Sequence, residues 1–231
     1  MDRAGRGEQK AKALELLREH GVMRLRDLGA AGVQAAVVTR LVQKGDIAVV
    51  SRGVYALPGI ARDLEGEPDT AKLMAVTKSS SDRVEPVVVM LSAAAHHKLI
   101  SREPTEVWLA FPPDTRRTRA SDSTVRIKAL CWGWEKITEG REFGIERVRL
   151  ESGGAAREAL ITNPARTIAD LIRLRHLIGK EYVVEAVQTA ARRPDLVRPD
   201  NIREVATEVY GKRWWDLKAA PYVAAAYPLN W

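Results

Sequence analysis

Cysteine is almost missing from this 231-residue chain. The single residue, Cys131, excludes an intrachain disulfide and any site built on several thiolates. Long apolar runs are missing too. The longest, such as Pro86 to Ala95, fall well short of the roughly 20 residues needed to span a bilayer. Met1 to Gly7 is polar, with no apolar stretch behind its arginines, so no signal peptide is expected. There is no internal repeat, low-complexity tract or coiled-coil heptad pattern. No Walker-type phosphate loop occurs: Gly153-Gly154 is not followed by Lys and Ser/Thr and reads as a turn. The expectation from these absences is a soluble, cytoplasmic protein.

What is present is the makeup of a globular chain, 45% hydrophobic and 29% charged, which argues against disorder as the main state. The length suits one large domain or two ordinary ones, and two are expected. The net charge of +7 is unevenly spread. Residues 1–62 carry 11 Lys/Arg against 6 Asp/Glu, or +5, and the remaining residues 26 against 24, or +2. Clustered positive charge suits a polyanionic partner through counterion release. A solubilising surface would look the same by charge alone.

The stretch from Gly32 to Leu57, GVQAAVVTRLVQKGDIAVVSRGVYAL, gives that cluster a meaning. At about 100° per residue, Val33, Val37, Val38, Leu41 and Val42 share one half of a helix. Ala36, Thr39, Arg40 and Gln43 take the other, with Lys44 at its edge. Gly45 closes the helix, because a residue without Cβ adopts the left-handed conformation readily. Ile47 to Val50 reads as a strand, Ser51-Arg52-Gly53 as a turn, and Val54 to Leu57 as the returning strand. A helix with a small, polar outer face and a hairpin with a basic tip form a winged helix-turn-helix pattern. Such a helix can enter the major groove while the hairpin reaches a phosphate or the minor groove. The alternative is an amphipathic helix on a small sheet whose polar side is merely wet.

Around this stretch the elements follow from periodicity. Glu8 to Glu19 is helical, Val22 to Arg24 a short strand, and Leu25 to Ala30 a second helix. Pro58 to Pro68 is rich in Pro, Gly and charge and marks a domain boundary. The domains expected are residues 1–62, a winged helix-turn-helix, and 63–231, an α/β domain with C-terminal helices. Asp69 caps a helix to about Lys78. Val87 to Leu91 reads as a buried strand and Ser92 to Leu99 as a helix capped by Ser92. Glu106 to Phe111, Val125 to Trp132, Phe143 to Leu150 and Ala159 to Thr162 read as strands. Thr115 to Ser123, with Arg116, Arg117 and Arg119, reads as a mobile basic loop. Asn163 caps a helix with Pro164 at its first position and Ile168, Leu171, Ile172 and Leu174 inward. Helices from Glu181 to Ala191, Pro199 to Tyr210 and Trp214 to Ala225 complete the set. The fold class is therefore α+β: an N-terminal winged helix-turn-helix, then a mixed α/β domain with a helical C-terminal part.

Chemistry for catalysis is sparse. His96 and His97 are adjacent, so on a helix they diverge by about 100° and cannot chelate one metal as an i, i+4 pair can; one is expected packed and one exposed. Cys131, in an apolar strand, is expected to be a buried, inert thiol. Glu146 and Glu151 flank a strand, but no Asp or Lys stands at a spacing suited to a metal-dependent nuclease. Asp170 can reach Arg166 at i, i+4, and a structural ion pair is the simpler reading. Trp214-Trp215 and Trp231 either anchor a C-terminal helix or offer stacking faces to bases. No catalytic residue, metal or cofactor is assigned.

Three segments together resemble the AbiEi family, the antitoxins of type IV toxin–antitoxin systems. They are VVSRGVYAL at the end of the winged helix, LSAAAHHKLISREPTEVWLAFP from Leu91 to Pro112, and ITNPARTIADLIRLRHLIGKEYVVEAVQTAA from Ile161 to Ala191. His96-His97 departs from the family, which often has a glycine in that turn. The resemblance implies a repressor that binds inverted repeats in its own promoter through the N-terminal domain. It also implies a C-terminal domain that counteracts a separate nucleotidyltransferase-like toxin of the AbiEii kind. The residues expected to meet DNA are Ala36, Thr39, Arg40 and Gln43 in the groove, with Gln34, Lys44 and Arg52 on phosphate or in the minor groove. A DNA-associated nuclease or other enzyme built on the second domain, and a protein-interaction module, are the alternative readings.

Overall fold

The computed structural model describes residues 3–51, 53–61, 85–113, 126–133, 136–137, 143–152 and 155–227. They fall into two compact units.

The first unit runs α1 (Arg3–His20), β1 (Val22–Arg24), α2 (Leu25–Ala30), α3 (Ala35–Gln43), β2 (Ala48–Ser51) and β3 (Val54–Ala56). Its sheet has the order β1-β3-β2 with both pairs antiparallel, Val22 facing Ala56 on one side of β3 and Val49 facing Tyr55 on the other. Three helices ahead of a hairpin, on a sheet completed by the strand between the first two helices, make a winged helix-turn-helix. The apolar stripes meet in one core: Ala13 and Leu17 of α1, Leu28 of α2, and Val37, Val38 and Leu41 of α3 are buried there. Beyond β3, residues 58–61 make one helical turn. The expected boundary near residue 62 and the helix expected after Asp69 lie outside the described residues, as does the basic segment with Arg116, Arg117 and Arg119.

The second unit is built on a five-stranded sheet and helices. In chain order these are β4 (Val87–Val88), α4 (Met90–His96), β5 (Val107–Phe111), β6 (Ile127–Cys131), β7 (Ile145–Ser152) and β8 (Ala155–Thr162). The helices α5 (Pro164–Arg173), α6 (Lys180–Ala191) and α7 (Pro199–Tyr210) follow, then α8 (Lys212–Trp214), a π-helical stretch Trp215–Ala219 and α9 (Ala220–Ala226). The strand order is β6-β5-β4-β8-β7; β4 pairs antiparallel with β5 and parallel with β8. Residues Arg149–Ala159, in β7 and β8, group with the first unit by their backbone contacts.

One expectation is corrected here. The apolar run from Val87 does not continue as a strand to Leu91. Val89 donates its N–H to the Trp108 carbonyl, and Met90, with φ of 54°, turns the chain into α4. Ser92 is therefore not a cap. It is buried inside α4, and its hydroxyl accepts the Trp108 N–H at 3.0 Å. The short backbone hydroxyl contact fixes α4 to β5, which periodicity alone does not reveal.

Helix α5 is the centre of this unit. Asn163 caps it by accepting the Arg166 N–H at 2.9 Å, with Pro164 in its first turn. Every residue from Ala165 to Ile172 is buried, packed against α4, α6 and α7. Two of those buried residues are charged. Arg166 and Asp170 are both 0% exposed and pair at 2.8 Å. The guanidinium also donates to the Phe143 carbonyl at 2.6 Å and the Lys136 carbonyl at 3.3 Å, and lies 4.8 Å from the Trp132 ring centroid. Tyr210 of α7 donates its hydroxyl to the same Asp170 oxygen. Burial alone would lower the Arg166 pKa, but Asp170 and Tyr210 outweigh it and the group is held charged. Burial pushes the Asp170 carboxyl up against the pull of Arg166, and pushes the Tyr210 phenol well above its ordinary value. Gly144 completes the cage. A Cβ there would stand 2.5 Å from the Arg166 Cβ, and its backbone φ is +65°, so the turn that delivers the Phe143 carbonyl requires glycine.

Removing one member of a buried ion pair leaves the other uncompensated. Arg166→Met is expected to lose about 3–5 kcal/mol of unfolding free energy, and the double variant Arg166→Met/Asp170→Leu to lose less; urea titration measures both.

A second expectation concerns pH. His97 accepts no charge easily: burial pulls its pKa down from 6.5 to about 4, outweighing the Thr162 carbonyl 2.7 Å from Nε2, and His96 is lowered by burial as well. Because the folded value lies below the unfolded one, the stabilisation is complete above pH 6.5 and is lost as pH falls from 6.5 towards 4. A loss of about 2–3 kcal/mol is expected across that window, and His97→Gln should flatten the slope in melts taken at pH 7 and pH 4.

Candidate nucleic-acid interface

The geometry of α3 is set at both ends. At its start Gln34 is extended, and its carbonyl accepts the N–H groups of Val37 and Val38. At its end Gly45 has φ of +72°, Gly45 N–H bonds the Val42 carbonyl, and Asp46 N–H bonds the Leu41 carbonyl at 2.9 Å. That pair of bonds is a Schellman closure. Asp46 then takes the Lys10 ammonium at 2.6 Å, fastening the end of α3 to α1. At the hairpin, the Gly53 carbonyl accepts the Leu25 N–H at 2.9 Å and holds the turn near the start of α2.

With Val37, Val38 and Leu41 turned into the core, the opposite side of the helix faces outward. Gln34, Ala36, Thr39, Arg40, Gln43 and Lys44 are all exposed. Arg52 lies outside the described residues. The hydroxyl of Thr39 donates back to the Ala35 carbonyl at 3.1 Å, so its donor is spent on its own helix and its remaining outward offer is an acceptor and a methyl group. None of the exposed face is acidic: from Gln34 to Lys44 the chain has no Asp or Glu. A surface that is small in its middle, basic at Arg40 and Lys44, and free of carboxylates matches a phosphate-lined groove in shape and charge.

The remaining residues singled out in the sequence are placed elsewhere. Cys131 is exposed rather than buried; it ends β6, which among the described residues is an edge strand of the sheet. His96 and His97 are both partly buried, their rings edge-on at 5.1 Å, so neither is the free member expected. Glu146 lies on β7 with its side chain largely exposed, and the partial burial of its carboxyl raises its pKa; the side chain of Glu151 is outside the description. Among the described residues no three His, Cys, Asp or Glu side chains gather as metal ligands. Trp215 is buried in the core of the second unit and Trp214 stacks at a tilt on Tyr210, 4.8 Å between centroids. These two tryptophans anchor the C-terminal helical stretch, while Trp231 is outside the described residues. Among the described residues no helix is long and apolar enough to cross a membrane. Sequence reading missed the Tyr210 hydroxyl and the Phe143 and Lys136 carbonyls around Arg166; their separation along the chain left no periodic signal.

Residues 12–58 match the family model described as "Transcriptional regulator, AbiEi antitoxin". The matched stretch begins within α1 and ends just after β3, so it is the winged helix-turn-helix, and over it the resemblance read from the sequence is borne out. The match supports a transcriptional regulator of the antitoxin kind. No curated protein matches the chain. Among solved structures, the chain is similar to the RV2827C protein from Mycobacterium tuberculosis, with 16% identity and a TM-score of 0.45 over 88% of this chain and 81% of that one.

The position of α3 depends on its closing glycine. No atom lies within 4 Å of a Cβ built on Gly45, so substitution there is a pure backbone effect. Gly45→Ala is expected to destabilise the unit by about 1–2 kcal/mol through left-handed strain, and Gly45→Asn by clearly less; amide exchange along α3 reads the difference.

Proposed function

We propose that this protein is a sequence-specific DNA-binding repressor acting as the antitoxin of a type IV toxin–antitoxin system. In this reading it represses its own operon through inverted repeats in the promoter and counteracts a nucleotidyltransferase-like toxin of the AbiEii kind. It does so without catalysis of its own. The single observation that carries the DNA half is the uncovered face of α3, polar, carboxylate-free and backed by a buried apolar stripe.

The roles follow from side-chain chemistry. Arg40 presents a two-pronged donor that suits guanine O6 and N7, and Gln43 an amide that suits adenine. Ala36 and the Thr39 methyl let the helix approach closely and can meet a thymine methyl. Gln34 and Lys44, at the two ends of the helix, are assigned in this reading to the phosphate backbone or the minor groove, and so is Arg52, which lies outside the described residues. An inverted repeat would take two copies, one winged helix on each half-site. The excess of five positive charges in residues 1–62 gives the encounter a sequence-independent, salt-sensitive component.

The two kinds of contact make different predictions. Arg40→Ala is expected to weaken binding to the promoter by roughly 1–3 kcal/mol and to relax preference at one base pair. Arg52→Ala is expected to lower affinity for all sequences alike and to reduce the salt slope by about one. Footprinting of the upstream region with salt titrations separates them. Wild-type footprints from both variants would remove the α3 face from the reading.

A further inference from the structure

The second unit holds a cavity that repression does not require. Its volume is about 310 Å³, and Cys131, Trp132, Lys136, Arg173, His176 and Tyr210 line it. Three of those side chains are basic. No carboxylate is among its described lining residues, and neither Lys136 nor Arg173 is ion-paired with a carboxylate among the described residues. Beneath it, Arg166 and Asp170 neutralise one another at 2.8 Å. Asp170 still acts on Lys136 through space, but its hydrogen bonds go to Arg166 and Tyr210, and neither Lys136 nor Arg173 forms an ion pair with it.

The cations also gather on aromatic surface. The Lys136 ammonium is 5.6 Å from the Tyr210 ring centroid, and the Arg173 guanidinium is 5.8 Å from Tyr210 and 5.9 Å from Trp214. At those separations the cations are attracted to the rings, and both retain N–H donors for another acceptor. Trp132 supplies a further ring on the β6 side, already faced by Arg166. Trp132 is buried apart from the part that lines the cavity, and Tyr210 is half-buried; basic donors beside such partly open rings are the chemistry that takes a phosphate at one end and the edge of a flat heterocycle at the other. The volume of about 310 Å³ sits at the lower end of the ~300–1,000 Å³ range of small-molecule sites, the scale of one small ligand.

We infer that this cavity between β6, α5 and α7 is a binding site for a nucleoside monophosphate. Lys136 and Arg173 take the phosphate, and the base lies along the Trp132 and Tyr210 wall. The site is separate from α3 and stands whether or not the protein binds DNA.

Cys131 supplies the test. It is the sole cysteine in the chain, it is exposed, and it lines the cavity. The rate of its alkylation in the full chain, without DNA, therefore reports occupancy. Adenosine and uridine monophosphate are titrated, with adenosine, uridine and inorganic phosphate as controls. At least one monophosphate is expected to slow alkylation more than about threefold, with less protection as salt rises. Lys136→Gln and Arg173→Gln should each raise the half-protecting concentration about tenfold, with protection referred to each variant's own alkylation rate in the absence of nucleotide, at a temperature where circular dichroism shows the variant folded. Lys128→Gln, whose ammonium lies over Trp108 instead, should leave protection intact. The proposal is overturned if neither monophosphate protects, if phosphate or the nucleoside protects as well as the nucleotide, or if protection survives both charge-removing variants.

Discussion

A guanidinium sealed away from water has to be satisfied on every side by protein, and the second unit is arranged to do that for Arg166. Its Nε goes to Asp170 one turn along the same helix, and its other nitrogens go to the Phe143 and Lys136 carbonyls. Tyr210 closes the group from α7 by donating to Asp170. Two loops, one helix and a distant aromatic are thereby fixed relative to α5. A buried pair of this kind contributes little net stability over an apolar replacement, yet leaving it half made is strongly unfavourable. The cage thus penalises packings of α5, α7 and the Gly144 turn in which a guanidinium nitrogen is left without its acceptor, although Asp170 Oδ2 itself is buried without a hydrogen-bond partner.

The first unit obeys a simpler constraint. Burying Val37, Val38 and Leu41 of α3 against α1 and α2 compels Ala36, Thr39, Arg40 and Gln43 to face away, since one side of a helix cannot be turned in without turning the other out. The Gly45 closure and the Lys10–Asp46 pair then fix where that outward side sits. Hydrophobic burial sets the face, and hydrogen-bond geometry sets its aim. The outward polar face arises from the same forces that build the core.

The two units also differ in how their charges are used. On α3 the cations Arg40 and Lys44 are exposed, where solvent screens them and a polyanion can displace counterions. Around Tyr210 the cations are gathered on rings at the edge of a concave site, next to a pair that is buried and neutral. Similar side chains are therefore presented differently, on an open helix face in one case and at the edge of a concave site in the other. The division follows from curvature and burial rather than from residue type.

Much of this was legible in the residues themselves. Periodicity placed α1, α2, α3 and the hairpin, because each amphipathic stripe or alternation is a local property that the core then uses as written. Asn163-Pro164 announced the start of α5 by cap chemistry, and the four-residue spacing of Arg166 and Asp170 announced their pairing. The run from Val87 to Leu91 misled, since five apolar residues serve a buried strand and a buried helix start equally well, and the Trp108 backbone decided between them. Cys131 misled as well, because an apolar strand says nothing about whether it lies inside a sheet or at its edge. Local sequence thus determined the winged helix and its outward polar ridge. Only tertiary structure decided the cage around Arg166 and the basic cavity beside it, because their members, from Cys131 to Tyr210, are brought together by strand order and helix packing and by no spacing along the chain.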